Sequence, residues 1–210
     1  MTAALSLLAL ASALLTVRAE YRGPRSWVYV CKPLTVVLII LVALQNGSGA
    51  PRAYQALVVA GLVCSLAGDV FLMLPRDRFL AGLLSFFAAH LCYVAAFASD
   101  GGRGVSAWAG LALLVYGVWM LGRLWPRLGR LKGPVAAYVV VILFMVWLAL
   151  SRWLGAGPAG GAWAAAAGAL LFAASDSLLA WNRFKEKFRA AQALILSTYF
   201  AAQWLIALST

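Results

Sequence analysis

The chain has 210 residues, 65% hydrophobic and 11% charged, whereas a soluble domain is closer to half apolar and a quarter charged. This balance excludes a soluble globular protein and leaves no length for a separate soluble domain, so residues 1–210 read as one integral membrane domain. The net charge of +11 does not mark a nucleic-acid binder, because no basic block sits on a soluble element. It belongs instead to loops that carry Lys and Arg at a membrane surface.

Eight apolar segments follow in order. Ala3–Val17 comes first, with Arg18, Arg22 and Arg25 behind it. A cleaved signal peptide carries its charge ahead of the apolar core, so this segment reads as a retained span. The others are Val28–Leu44, Pro51–Leu74, Phe79–Ala98, Val105–Gly122, Pro134–Leu150, Ala162–Trp181 and Ala190–Leu208. Most are long enough to cross roughly 30 Å of hydrocarbon at about 1.5 Å per residue, and none alternates with the period of a barrel strand. The expected fold is all-α, with eight transmembrane helices.

Loop charges set the orientation. Arg18, Arg22, Arg25 and Lys32 flank the first loop, Arg76 and Arg78 the third. The fifth has Arg123, Arg127, Arg130 and Lys132, and the seventh Arg183, Lys185, Lys187 and Arg189. Only Arg52, Arg103 and Arg152 flank the even loops. Fourteen basic residues against three place the odd loops in the cytoplasm and both termini outside.

Two carboxylates interrupt the apolar helices. Asp69 lies near the cytoplasmic end of the third span, eight residues after Gly61, and Asp176 follows Gly168 by the same eight in the seventh. Lys32-Pro33 near the start of the second span and Lys132-Gly133-Pro134 at the start of the sixth extend the correspondence, as do His90 and Tyr93 against Tyr199 and Gln203. The pattern predicts a parallel 4+4 repeat with halves 1–104 and 105–210, both carboxylates facing one cavity open to the cytoplasm. An intramembrane carboxylate costs roughly 2.5–3.5 kcal/mol at the bilayer centre and marks a functional site by default. The alternative is a structural partner for Lys32, Lys132 or a tyrosine hydroxyl. Mutual repulsion and desolvation disfavour ionising both members of a pair, so a shared cavity can hold one acid beside one base.

His90 is the only histidine and cannot build a three-His zinc site, so no metal is expected. His90 and Tyr93, like Tyr199 and Gln203, share one helix face and serve either as interhelical glue or as groups that orient a polar ligand. Cys31, Cys64 and Cys92 are widely spaced and read as small hydrophobes. The nine Trp residues read as mostly interfacial or lipid-facing. No serine-nucleophile elbow is present.

The stretches LVCSLAGDVFLMLP, FLAGLLSFFAAHLCYVAAF, PVAAYVVVI, LLFAASDSLLAWNRF and STYFAAQWLIALS, after the Lys32-Pro33 start of the second span, resemble the YhhN-like family of membrane lysoplasmalogenases. The resemblance runs from about Lys32 to Ser209. It implies eight spans and hydrolysis of the vinyl ether bond of lysoplasmalogens, giving a fatty aldehyde and a glycerophospho-head group. It implies Asp69 and Asp176 as catalytic residues, with His90, Tyr93, Tyr199 and Gln203 around them and Lys32 meeting the substrate phosphate. The expected partner is a lysophospholipid within a bacterial inner membrane, with no cofactor and no protein partner. A proton-coupled transporter uses the same intramembrane carboxylates and is the rival reading; a non-catalytic lipid-binding protein is the third.

Overall fold

The computed structural model describes residues 1–46, 49–99, 106–156 and 161–210. Arg103 and the expected start of the fifth span at Val105 lie outside them. The elements are α1 Thr2–Arg22, α2 Arg25–Asn46, α3 Arg52–Met73, α4 Phe79–Ser99, α5 Ala107–Leu124, α6 Lys132–Ala156, α7 Ala162–Phe184 and α8 Ala191–Leu208, with two short 3₁₀ turns between α5 and α6. Eight helices are long and apolar enough to cross a membrane, and no strand occurs among the described residues. Only a helix or a closed barrel satisfies its backbone in hydrocarbon, so this composition allows no other local structure.

Helix boundaries depart from the sequence reading where apolar content and backbone bonding diverge. Because α2 begins at Arg25 and Pro33 lies inside it, Lys32 sits two turns into the helix, whereas Lys132 is the first residue of α6. The Nζ of Lys132 rests over the Trp125 ring at 5.2 Å, and among the described residues it pairs with neither aspartate. Arg152, counted with the outer loop, is instead a buried residue of α6; it donates to the Tyr54 hydroxyl at 2.9 Å and lies over its ring. Six of the nine Trp residues are exposed on the bundle surface, as expected of lipid-facing rings. The three cysteines are unpaired and half-buried.

Six helices close a ring in the order α2, α3, α4, α6, α7, α8 and back to α2. Outside it, α1 packs on α2 and α8, and α5 packs on α6 and lightly on α7. The core inside the ring is apolar and aromatic, with Tyr93, Phe97, Phe172, Met145 and Ile206 fully enclosed. Two of the glycines that allow close approaches precede the aspartates. A Cβ at Gly61 would overlap the Tyr93 ring of α4, and one at Gly168 would stand 2.8 Å from the Ala202 carbonyl oxygen of α8. The glycines eight residues before each aspartate are therefore packing positions that bring α4 and α8 up to α3 and α7.

Candidate functional site: a two-carboxylate cavity

At one end of the ring the helices diverge around a cavity of about 560 Å³, within the roughly 300–1,000 Å³ range of small-molecule sites. Its mouth is built from the loops after α1, α3 and α7, with Arg25, Arg76, Arg78, Arg183 and Lys187 on the rim. These are odd-numbered loops, so the cavity opens on the face where the basic residues gather. Asp69 and Asp176 both line it, together with Lys32 and Tyr199.

The aspartates have different company. Asp69 is 1% exposed; Lys32 Nζ stands 2.9 Å from its Oδ1, and the Tyr199 hydroxyl donates to its Oδ2 at 2.6 Å. A carboxylate in the last turn of a helix faces the negative end of the helix dipole, and a buried ion pair offsets its desolvation only with further hydrogen bonds. Both compensations are present. Behind Tyr199 the chain continues: the Tyr93 hydroxyl donates to Gln203 Oε1 at 2.7 Å, and Gln203 Nε2 donates to the Tyr199 hydroxyl at 3.2 Å. Every donor in this relay points toward Asp69.

Among the described residues no lysine or arginine pairs with Asp176. It accepts a hydrogen bond from the Tyr138 hydroxyl of α6, and His90 Nε2 lies 4.0 Å from its Oδ2. His90 Nδ1 is 2.6 Å from the Phe86 carbonyl oxygen; that oxygen only accepts, so the Nδ1 must carry a hydrogen. The Nε2 is buried without a hydrogen-bond partner, its ring edge-on to Tyr138 at 5.1 Å and to Phe172 at 4.7 Å. No hydrogen bond joins the two carboxylates among the described residues.

The candidates thus divide. Lys32, Asp69, Asp176 and Tyr199 line the cavity. His90, Tyr93 and Gln203 are fully buried and are not among the residues that line it; they lie in the layer behind the aspartates' hydrogen-bond partners. Lys32 is engaged with Asp69, which leaves the rim cations closer to solvent for an incoming anion. Tyr138 was missed as a site residue. It lies within PVAAYVVVI, but a tyrosine in an apolar helix gives no local sign that a carboxylate faces it. Among the described residues no group of three His, Cys, Asp or Glu side chains is placed to hold a metal ion.

An eight-helix membrane bundle with two carboxylates in one polar, cationic-rimmed cavity defines the class of protein. The family model for the YhhN family matches residues 27–210, and the chain belongs to that family. The membrane protein YhhN of Escherichia coli O157:H7 is 38% identical over 197 residues, covering 93% of this chain and 92% of its own length. Human lysoplasmalogenase TMEM86B is 36% identical over 185 residues (85% and 72%), and bovine lysoplasmalogenase TMEM86A 36% identical over 194 residues (88% and 78%). No solved structure matches.

Proposed function

We propose that the protein is a membrane-embedded lysoplasmalogenase, cleaving the vinyl ether bond of a single-chain ether phospholipid to a fatty aldehyde and a glycerophospho-head group. The observation that carries this reading is the pair of aspartates lining one cavity in an otherwise apolar bundle, in a chain akin to proteins named lysoplasmalogenase. A vinyl ether is stable to base and labile to acid. One carboxyl group protonates the double bond to give an oxocarbenium ion; an ionised carboxylate stabilises that cation and activates water. The resulting hemiacetal collapses to aldehyde and alcohol. All of these steps use protons held by the chain's own side chains.

The cationic rim of Arg25, Arg76, Arg78, Arg183 and Lys187 suits a phosphate head group. The ring order of the six inner helices is unchanged by a four-helix shift, which supports the parallel 4+4 repeat. Under that shift the helices holding Asp69, α2 and α8, become those holding Asp176, α6 and α4. With the odd loops cytoplasmic and both termini outside, the substrate enters from the inner leaflet of a bacterial inner membrane.

The test is direct. Purified protein in detergent or liposomes is incubated with lysoplasmalogen and the released aldehyde is measured. The wild type is expected to release it, and Asp69→Asn and Asp176→Asn each to lose at least a hundredfold while remaining folded. Full activity in either variant sinks the paired-carboxylate mechanism. Transport of a labelled solute without aldehyde release would favour a proton-coupled transporter instead.

A further inference from the structure

A second, apolar depression joins the polar cavity. It runs between α4, α5, α6 and α7, and the only polar side chains among its described lining residues are Tyr116, Tyr138, Asp176 and Ser177. Leu72, Phe79, Phe86 and Leu179 wall both spaces, and Asp176 is the one carboxylate that faces both. The groove is the smaller space, about 70 Å³ against 560 Å³ for the polar chamber. One wall is α5, which packs mainly on α6 and lightly on α7 and exposes Leu114, Val115 and Val118. A hydrogen bond of 2.7 Å from the Tyr116 hydroxyl to Ser177 Oγ ties α5 to α7 beside Asp176.

Resting on the hydrolase reading above, we infer that this groove binds the hydrocarbon chain of the substrate, and that Asp176, at its junction with the polar chamber, is the proton donor. A lysolipid is apolar on one side of its ether link and anionic on the other. The two spaces have that same division, and the ether link falls where they meet. Asp69 is already paired with Lys32 at 2.9 Å and accepts a hydrogen bond from Tyr199. Asp176 faces a tyrosine hydroxyl and a histidine nitrogen instead of a lysine or arginine.

The step balances without an outside reagent. The Asp176 proton goes to the chain-side carbon of the double bond, whose π electrons form the new C–H bond, and the ether oxygen lone pair stabilises the cation left on the neighbouring carbon. Water adds to that carbon and gives its proton back to Asp176. The hemiacetal hydroxyl then gives up its proton, its oxygen's electrons form the C=O bond as the bond to the glyceryl oxygen breaks, and the glyceryl oxygen takes a proton from Asp176 to leave as the alcohol; the hydroxyl's proton restores Asp176. Vinyl ether plus water gives aldehyde plus alcohol.

Chain-length selectivity is the readout. Ala173→Phe on α7 and Leu143→Trp on α6 each place a large ring among the lining residues of the groove. Each is expected to lower the ratio of kcat/KM for a sixteen-carbon alkenyl chain over a four-carbon one by at least tenfold. An unchanged ratio in both variants overturns the groove assignment. Because a filled variant can misfold, a saturated ether lysolipid with a terminal diazirine is also photo-crosslinked to the wild type. Label on α5 or α6 near Gly117 and Leu143 is expected, and label confined to other helices overturns the proposal. If the wild type releases no aldehyde, the hydrolase reading fails on its own, while the crosslink still reports where the chain lies.

Discussion

Asp69 and Asp176 stand in the same sequence frame but in unlike surroundings. Removing one partner of a buried pair strands the other's charge, which costs about 3–5 kcal/mol. Lys32→Met is therefore expected to lower the melting temperature of the detergent-solubilised protein sharply, and the double variant Lys32→Met/Asp69→Asn to recover most of the loss. A double variant no more stable than Lys32→Met would show that Lys32 acts elsewhere. The Tyr93–Gln203–Tyr199 relay makes a second residue-level expectation. Tyr199→Phe deletes a charge-assisted hydrogen bond worth roughly 1.5–3 kcal/mol, equivalent to about ten- to a hundredfold in rate if it acts in the transition state. Tyr93→Phe is expected to cost less alone and to add little to Tyr199→Phe, since both remove links of one relay. Simple additivity in kcat would break the relay apart.

Helix packing explains why the two frames begin with glycine. Gly168 lets the α8 backbone come within van der Waals distance of α7, and α8 carries Tyr199 and Gln203. Gly168→Val meets the Ala202 carbonyl oxygen and the Ile206 backbone nitrogen, at 2.8 and 3.1 Å from its Cβ, and backbone does not yield as a side chain does. The expected destabilisation is about 1–3 kcal/mol, read by thermal melting, with an activity loss because Tyr199 moves off Asp69. An unchanged melting point and full activity would show that the two helices do not need this approach. The α5 helix sits at the other extreme. It contributes few buried residues, which leaves it the wall of the apolar groove best able to yield.

Across the whole molecule, the basic loops and the cavity mouth coincide. Arg183 of α7 pairs with Asp77 of the α3–α4 loop and lies over the Phe79 ring at 5.0 Å, so two loops of the rim are tied together. The Arg183 hydrogen bond holds the Asp77 carboxyl below the usual carboxylate range. A group whose folded pKa is lowered contributes stability above its unfolded pKa and loses it as pH falls through the folded value. The wild type should thus resist mild acid and lose this small contribution only below about pH 4; Asp77→Asn should remove that acid-dependent step from the melting curve, and an unaltered step would place it at another group. Orientation is tested in a cysteine-free background: Lys187→Cys is expected to react with an impermeant maleimide only from the cytoplasmic side, and Arg52→Cys only from outside. The reverse labelling would invert the topology.

The sequence by itself determined the class of protein and the number of spans, because a run of some twenty apolar residues has no low-energy alternative to a membrane helix. The aspartates, Lys32 and the glycine frames stood out for the same reason: each is an expensive exception in an apolar helix. Tertiary structure alone decided which exceptions meet. Only packing turns Lys32, two turns inside α2, toward Asp69, sets Tyr138 of α6 against Asp176, and places His90, Tyr93 and Gln203 behind the cavity wall. A helix period fixes which face a residue occupies, but not which helix that face will touch. The apolar groove is the clearest case, since it is formed by four helices and its lining residues look no different from lipid-facing ones until the bundle closes around them.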